Sequence, residues 1–262
     1  MYVRDGDAFV GTELIQGGWD PTAANGGAVL ALLGQVLDDV PTLVPMGVSR
    51  LTADLVRPVP LGRRLHVRHE VVREGKKIQL VELRLQVDGV DHVRASALRL
   101  RDVDLGPAAP VPADTTDHRP AASLVAPEGT ERMLGRGDVP AGFLRAVDMR
   151  RALRADGTAG GTWVRLDADV IAEEASSPTA RMAFAFDFAN LIGLDMAAPT
   201  MTMINPDVTA QVLRSPTGPW IAVTGDTRFS RSTGRSVSAA TLSDRGGPFA
   251  SATTSQLLQP RA

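Results

Sequence analysis

The chain contains no cysteine, so disulfides, thiolate metal ligands and a thiol nucleophile are all excluded. No run of about 18 apolar residues is present, so no membrane-spanning helix is expected. The stretch Met1 to Asp7 carries charge and lacks an apolar centre, so a signal peptide is not expected either. There is no glycine-rich phosphate loop of the GxGxxG or Walker type and no HExxH pair. Gly47-Val48-Ser49-Arg50-Leu51 begins like a nucleophile elbow but lacks the closing glycine. The four histidines, His66, His69, His92 and His118, do not form a metal set, and His66 and His69 fall on opposite faces of one strand. An excess of one charge sign is also lacking. The formal net charge is -2, which gives no reason to expect nucleic acid or an anionic surface as partner. Lysine occurs only at Lys76 and Lys77 among 28 basic residues, which reads as the codon usage of a GC-rich bacterial genome. Together these absences fit a reducing, cytoplasmic setting.

What is present is a hydrophobic content of 44%, ample for a large core in 262 residues. Asn25-Gly26-Gly27 opens an apolar run in which Val29, Leu32, Leu33 and Val36 recur at helical spacing. Asn25 is placed to cap this helix, and the two glycines allow another group to approach its first turn closely. Such a helix start presents unpaired N–H groups and a partial positive charge, suited to a polarised carbonyl oxygen. A strand over Phe9 to Gln16 precedes it. Strands over Val48–Arg57, Arg64–Arg73, Ile78–Val87 and His92–Arg101 follow, with hairpin turns at Glu74-Gly75 and Asp88-Gly89.

Residues 102–140 change character, holding Pro107, Pro110, Pro112, Pro120, Pro127 and Pro140, and read as a surface linker with a short helix near Glu131. The remainder, 141–262, repeats the pattern of 1–101. Strands are expected over Phe143–Leu153 and Gly161–Asp169, then a helix over Thr179 to Ile192 entered through Ser177-Pro178. Strands over Met201–Arg214, Trp220–Ser230, Ser236–Leu242 and Phe249–Leu258 complete it. Leu55 to Gly62 echoes Val212 to Gly218, and Ala-Ser-Ala steps sit in both final strands, at Ala95 and Ala250. Two copies of a long helix wrapped by an antiparallel sheet make a duplicated α+β unit.

Several stretches carry a family resemblance. They are Gly18-Trp19-Asp20-Pro21, Asn25-Gly26-Gly27, Ser177-Pro178-Thr179-Ala180-Arg181, Asp187-Phe188-Ala189-Asn190 and Ile204-Asn205-Pro206-Asp207-Val208-Thr209. In this order and spacing the chain resembles the double-hotdog type II acyl-CoA thioesterase and thioesterase-like family. The resemblance implies a double hot dog that hydrolyses acyl-CoA thioesters with water oriented by an Asp, a Thr or Ser, and a Gln. Asp207 stands at the Asp position and Thr227 or Ser230 at the hydroxyl position. Thr254 stands at the Gln position, with Gln256 two residues on, where a one-residue slip would bring it in. The family more often has His where this chain has Asn25.

The expected chemistry needs only a carboxylate, fixed water and an oxyanion site at Asn25, Gly26 and Gly27, so no cofactor or metal is implied. Arg57, Arg63, Arg64 and Arg214 are the cations available to coenzyme A phosphates. The second helix starts without paired glycines, and Pro178 has no N–H, so at most one competent site is expected. A homo-oligomer through exposed strand edges is compatible with the sequence. Thr254 in place of Gln leaves a second reading open, a non-catalytic acyl-CoA or fatty-acyl binding protein. A third, a hydratase of the same fold, needs a His beside the acid, and none lies near Asp207 or Asp20.

Overall fold

The computed structural model describes residues 1–18, 20–106, 124–133, 142–193 and 201–260, with backbone only for 191–193. Trp19 and the prolines at 107, 110, 112, 120 and 140 lie outside the described residues. Two helices, α1 (Gly26–Asp39) and α2 (Pro178–Phe186), lie against one large antiparallel sheet.

The first half contributes β1 (Tyr2–Asp5), β2 (Ala8–Gly11), β3 (Met46–Leu55), β4 (Arg64–Arg73), β5 (Ile78–Val87) and β6 (Val90–Arg101). The second contributes β7 (Val147–Leu153), β8 (Ala159–Leu166), β9 (Met201–Ile204), β10 (Asp207–Val212), β11 (Ile221–Ser230), β12 (Arg235–Asp244) and β13 (Gly247–Pro260). Neighbour order is β1-β2-β4-β5-β6-β3-β10-β13-β12-β11-β8-β7, with β9 beside β13. The halves meet where β3 pairs with β10, Thr52 opposite Thr209. A second seam closes on the far side, where the Tyr2 N–H donates to Val170 O (2.8 Å) and the Ala172 N–H to Tyr2 O (2.8 Å).

α1 is apolar on every side because every side is covered: Gly27 through Leu37 are all buried. It runs antiparallel to α2, and the two approach so closely at Gly34 that a Cβ there would sit 2.9 Å from the Ala180 nitrogen. Each helix supplies a carboxylate to the start of the other. Asp38, near the end of α1, accepts from Thr179 N–H (3.0 Å) and Thr179 Oγ1 (2.7 Å). Asp187, at the end of α2, accepts from Gly27 N–H (3.0 Å). A carboxylate beside unpaired N–H groups at a positive helix end is favourable on both counts.

Where the elements depart from the sequence pattern, a local cause is visible. The strand expected over Phe9 to Gln16 is the β1–β2 hairpin followed by a 3-10 turn, Glu13–Ile15, capped by Thr12. The alternation in β1 is hidden because Val3, Arg4 and Asp5 are all exposed. The second helix stops at Phe186 and continues as a 3-10 turn, Asp187–Gly193. The strand expected over Met201–Arg214 divides at Pro206, which has no N–H for the ladder. Glu131 is not helical. The 3-10 turn is Pro127–Gly129, and Arg132 bridges Arg150 in an extended segment along β7. This part of the 102–140 stretch is therefore packed on the second half.

Candidate active site

Asn25 has an extended backbone, and its Oδ1 accepts from the Gly27 N–H at 2.8 Å, which closes the first turn of α1. The same N–H also donates to Asp187 Oδ2. The paired glycines are required by this approach. A Cβ on Gly26 would lie 2.6 Å from Asp187 Oδ1, and one on Gly27 would lie 2.9 Å from the Phe143 ring and 3.0 Å from Phe184 O. The Gly27 N–H, expected to face a substrate oxygen, thus already has two acceptors.

Asp187 is 5% exposed. Burial pushes its carboxyl up to about 6, against the hydrogen bonds from Asn205 and Gly27 that favour the charged form. Asn205 Nδ2 donates to Asp187 Oδ1, and Asn190 Nδ2 donates to Asn205 Oδ1 at 3.4 Å. Asn205 stands two residues before Asp207. The helix start and the Asp207 segment are therefore joined through one buried carboxylate.

The second polar assembly lies on the helix-facing side of β11, β12 and β13, where the 3-10 turn after α2 packs. Thr227 is opposite Ser238, which is opposite Thr254; in the next row Ser236 is opposite Gln256. Ser236, Ser238, Thr254 and Gln256 are all buried. Thr227 and Ser238 hydroxyls are 2.7 Å apart. Gln256 donates to Ser238 Oγ (3.0 Å) and accepts from Ser236 Oγ (2.6 Å). Its amide is therefore used at both ends within the row.

Asp207 joins this assembly through β13. Thr254 Oγ1 donates to Asp207 O at 2.7 Å, and Ser255 N–H donates to the Asp207 carboxylate at 2.9 Å. Ile204 faces Leu257 and Thr209 faces Thr253, so four residues, 205–208, lie against three, 254–256. The bulge falls in the strand carrying Asp207 and leaves Gln256 in regular register. The structure thus gives two bonded groups, Asp207 with Thr254 and Ser255, and Thr227 with Ser238, Gln256 and Ser236, adjacent through the pairing of Ser238 with Thr254. Ser230 stands apart at the end of β11, bonded to Ser232 (3.2 Å). Asp187 and Asn205 stand in the stretches that carry the family resemblance but were given no site role, and Ser236 and Ser238 were not singled out. One signal was present: Asp187 is a lone acid in the run Phe184-Ala185-Phe186-Asp187-Phe188.

The arginines considered for phosphate contacts are all engaged. Arg57 donates to Asp91 O, Arg63 pairs with Asp88, Arg64 with Asp5, and Arg214 holds both oxygens of Asp244. Among the described residues no group of three or more His, Asp or Glu is arranged to hold a metal ion. A cleft of about 230 Å³ opens elsewhere, lined by Asp167, Asp169, Ser176 and Arg181, and includes no member of either polar assembly.

Two helices against one large antiparallel sheet fit the hot-dog class of folds. The comparisons with known proteins make the family explicit. Residues 15–100 match the acyl-CoA thioesterase N-terminal domain, and residues 107–257 match the acyl-CoA thioesterase C-terminal domain. The chain belongs to the acyl-CoA thioesterase family, whose members are thioester hydrolases. Among solved structures it is similar to a candidate thioesterase from Novosphingobium aromaticivorans DSM 12444 (TM-score 0.71, 20% identity, 98% of each chain covered). It is also similar to a conserved protein with hot dog fold from Alicyclobacillus acidocaldarius (TM-score 0.68, 17% identity, 100% of this chain and 96% of that one). A third is an acyl-CoA thioesterase II from Mycobacterium marinum (TM-score 0.63, 14% identity, 99% and 94%). None of the curated proteins matches this chain.

Proposed function

We propose that the protein hydrolyses acyl-CoA thioesters to a free acid and coenzyme A, with Asp207 activating the attacking water. In this reading 1–101 and 141–262 are two hot-dog units joined by 102–140, a double hot dog with the acyl chain held between the helices. The observation that carries it is the bulge at 205–208, where Thr254 and Ser255 fix Asp207 beside the Thr227–Ser238–Thr254 row.

The water oxygen forms a bond to the thioester carbonyl carbon while its proton passes to Asp207. The C–S bond then breaks, and the sulfur leaves as the coenzyme A thiol after taking that proton. The carbonyl oxygen lies at Asn25-Gly26-Gly27, where negative charge develops at the positive end of α1. Because Gly27 N–H is shared by Asn25 and Asp187 in the free protein, substrate oxygen displaces one of these acceptors on binding. The step consumes water alone, so no cofactor enters.

The test is thiol release from acyl-CoA substrates of several chain lengths. Asp207→Asn is expected to lower kcat by roughly 10²–10⁴, the range for loss of a general base. Equal thiol release by the two proteins overturns the assignment of Asp207. One observation favours a second reading, non-catalytic acyl-CoA binding: Thr254 stands at the implied Gln position, and Gln256 is bonded to Ser236 and Ser238. Saturable acyl-CoA binding with no thiol release by the unaltered protein would establish it.

A further inference from the structure

The sequence pattern starts a strand at Phe143, but the chain makes a 3-10 turn there, Phe143–Arg145, before β7 begins. The turn is docked on the first half. Phe143 N–H donates to Gln16 O at 2.9 Å. Gly142 has a φ of +90, and a Cβ on it would lie 2.4 Å from Gln16 O. No L side chain fits at 142, so the backbone entering Phe143 is fixed. The Phe143 ring, 1% exposed, is thereby held against the first turn of α1, where a Cβ on Gly27 would lie 2.9 Å from it.

The ring has apolar company. Phe188 is 6.1 Å away between centroids, and Phe184 meets Phe188 edge to face at 5.8 Å. These side chains make one apolar wall beside the paired glycines. A thioester whose carbonyl oxygen lies at Gly26-Gly27 has two substituents to place. The coenzyme A arm carries amides, which lose their hydrogen bonds against such a wall. The acyl chain has none to lose, and it is the part that the wall accepts.

The wall also sets a limit. The two helices touch through backbone at two levels: a Cβ on Gly27 would lie 3.0 Å from Phe184 O, and one on Gly34 would lie 2.9 Å from the Ala180 nitrogen. At about 1.5 Å per residue these levels are about 10 Å apart along α1. Between the helices the acyl chain therefore has at most this short stretch, and away from them it meets the Phe143 ring. We infer that Phe143 is a specificity-determining residue: its ring ends the acyl site and restricts hydrolysis to short acyl groups. The inference rests on the hydrolase reading above.

The experiment measures kcat and KM of the full-length protein for acetyl-, butyryl-, hexanoyl-, lauroyl- and palmitoyl-CoA. Phe143→Leu, Phe143→Ala and Phe249→Leu are run beside the unaltered chain. The unaltered protein is expected to favour butyryl- over lauroyl-CoA in kcat/KM by at least about tenfold, the low end of what a single extra methylene costs in a closed apolar pocket. Phe143→Leu should raise the lauroyl-to-butyryl ratio by about tenfold and Phe143→Ala by more, chiefly through KM. Phe249 is a fully buried ring in β13, outside this wall. Phe249→Leu should therefore leave the ratio within about twofold, which separates a loosened core from an opened site. Equal use of butyryl- and lauroyl-CoA by the unaltered protein, or an unchanged ratio in Phe143→Leu, overturns the inference and leaves the hydrolase reading standing. Should Phe143→Ala fail to fold, Phe143→Leu decides, because it keeps most of the buried volume. Absence of thiol release from every one of these thioesters removes the hydrolase reading and this inference with it.

Discussion

At the scale of single residues, two buried acids pull stability in opposite directions with pH. Asp187 has a carboxyl raised to about 6 by burial, above its ordinary value. The folded state therefore favours its protonated form. Its contribution to stability is complete below about pH 4 and is lost as pH rises through about 6. The change is on the order of 3 kcal/mol, taking about 1.4 kcal/mol per unit. Asp244 is the reverse. Bonds from Arg214, Thr217 and Gly246 outweigh its burial and hold it down to about 2. Its contribution is present above about pH 4 and is lost as pH falls toward 2. Urea unfolding between pH 4.5 and 7.5 should show stability declining with pH, and Asp187→Asn should flatten that decline. An unchanged slope in the variant would assign the pH dependence to other groups.

Residue-level chemistry was only partly legible in the sequence. Asn25 as a cap and the glycines as a place of close approach follow from local rules, and the helix shows both. The approaching group is Asp187, 160 residues further on, and no local rule connects the two. Similarly, Thr254 and Gln256 were legible as two positions on one face of a strand, but what the Gln256 side chain bonds depends on Ser236 and Ser238 in the neighbouring strand. Register across strands, not spacing along one, decides which hydroxyls meet.

At the scale of elements, α1 is closed at its far end by a cation. Arg99, 3% exposed, reaches from β6 to the carbonyls of Leu37 and Val40 and to Gln79. Burial lowers its pKa, and Asp38 and Glu74 work against that. Replacing it with Met removes three bonds, takes the Arg99 donor from Val40 O and leaves Leu37 O with the Val40 N–H alone. The expected cost is roughly 2–4 kcal/mol, with hydrogen exchange fastest at the last turn of α1. A loss below about 1 kcal/mol would mean that water takes over those carbonyls. Most strands and both helix starts were legible because their patterns are periodic and their caps local. The split at Pro206, the one-residue bulge and the end of α2 at Phe186 were not. The split follows from the missing N–H of Pro206, while the bulge and the end of α2 are set by contacts between distant segments, to which a period along the chain is blind.

At the scale of the whole molecule, the halves share β3–β10 pairing, the Tyr2 seam and the α1–α2 face. With so much of each half's covering supplied by the other, the described residues should unfold as one unit. Circular dichroism and hydrogen exchange on α1 and on β10–β13 should report the same free energy. Separate transitions would show that one half is stable alone. The echo of Leu55–Gly62 in Val212–Gly218 was legible in the sequence. That the copies join edge to edge into one sheet was not, because either β3 or another strand could have presented its edge.

The reciprocal carboxylates bear on how such a duplicated chain can change. Gene duplication ordinarily leaves two interchangeable modules, and recombination among relatives can then shuffle them. Here Gly26 has no room for a side chain because Asp187 is there, and Asp187 has an N–H to meet because residues 26 and 27 are bare. A hybrid taking its first half from one relative and its second from another inherits a working junction only when both ends of this contact arrive together. At this contact the two halves are a matched pair.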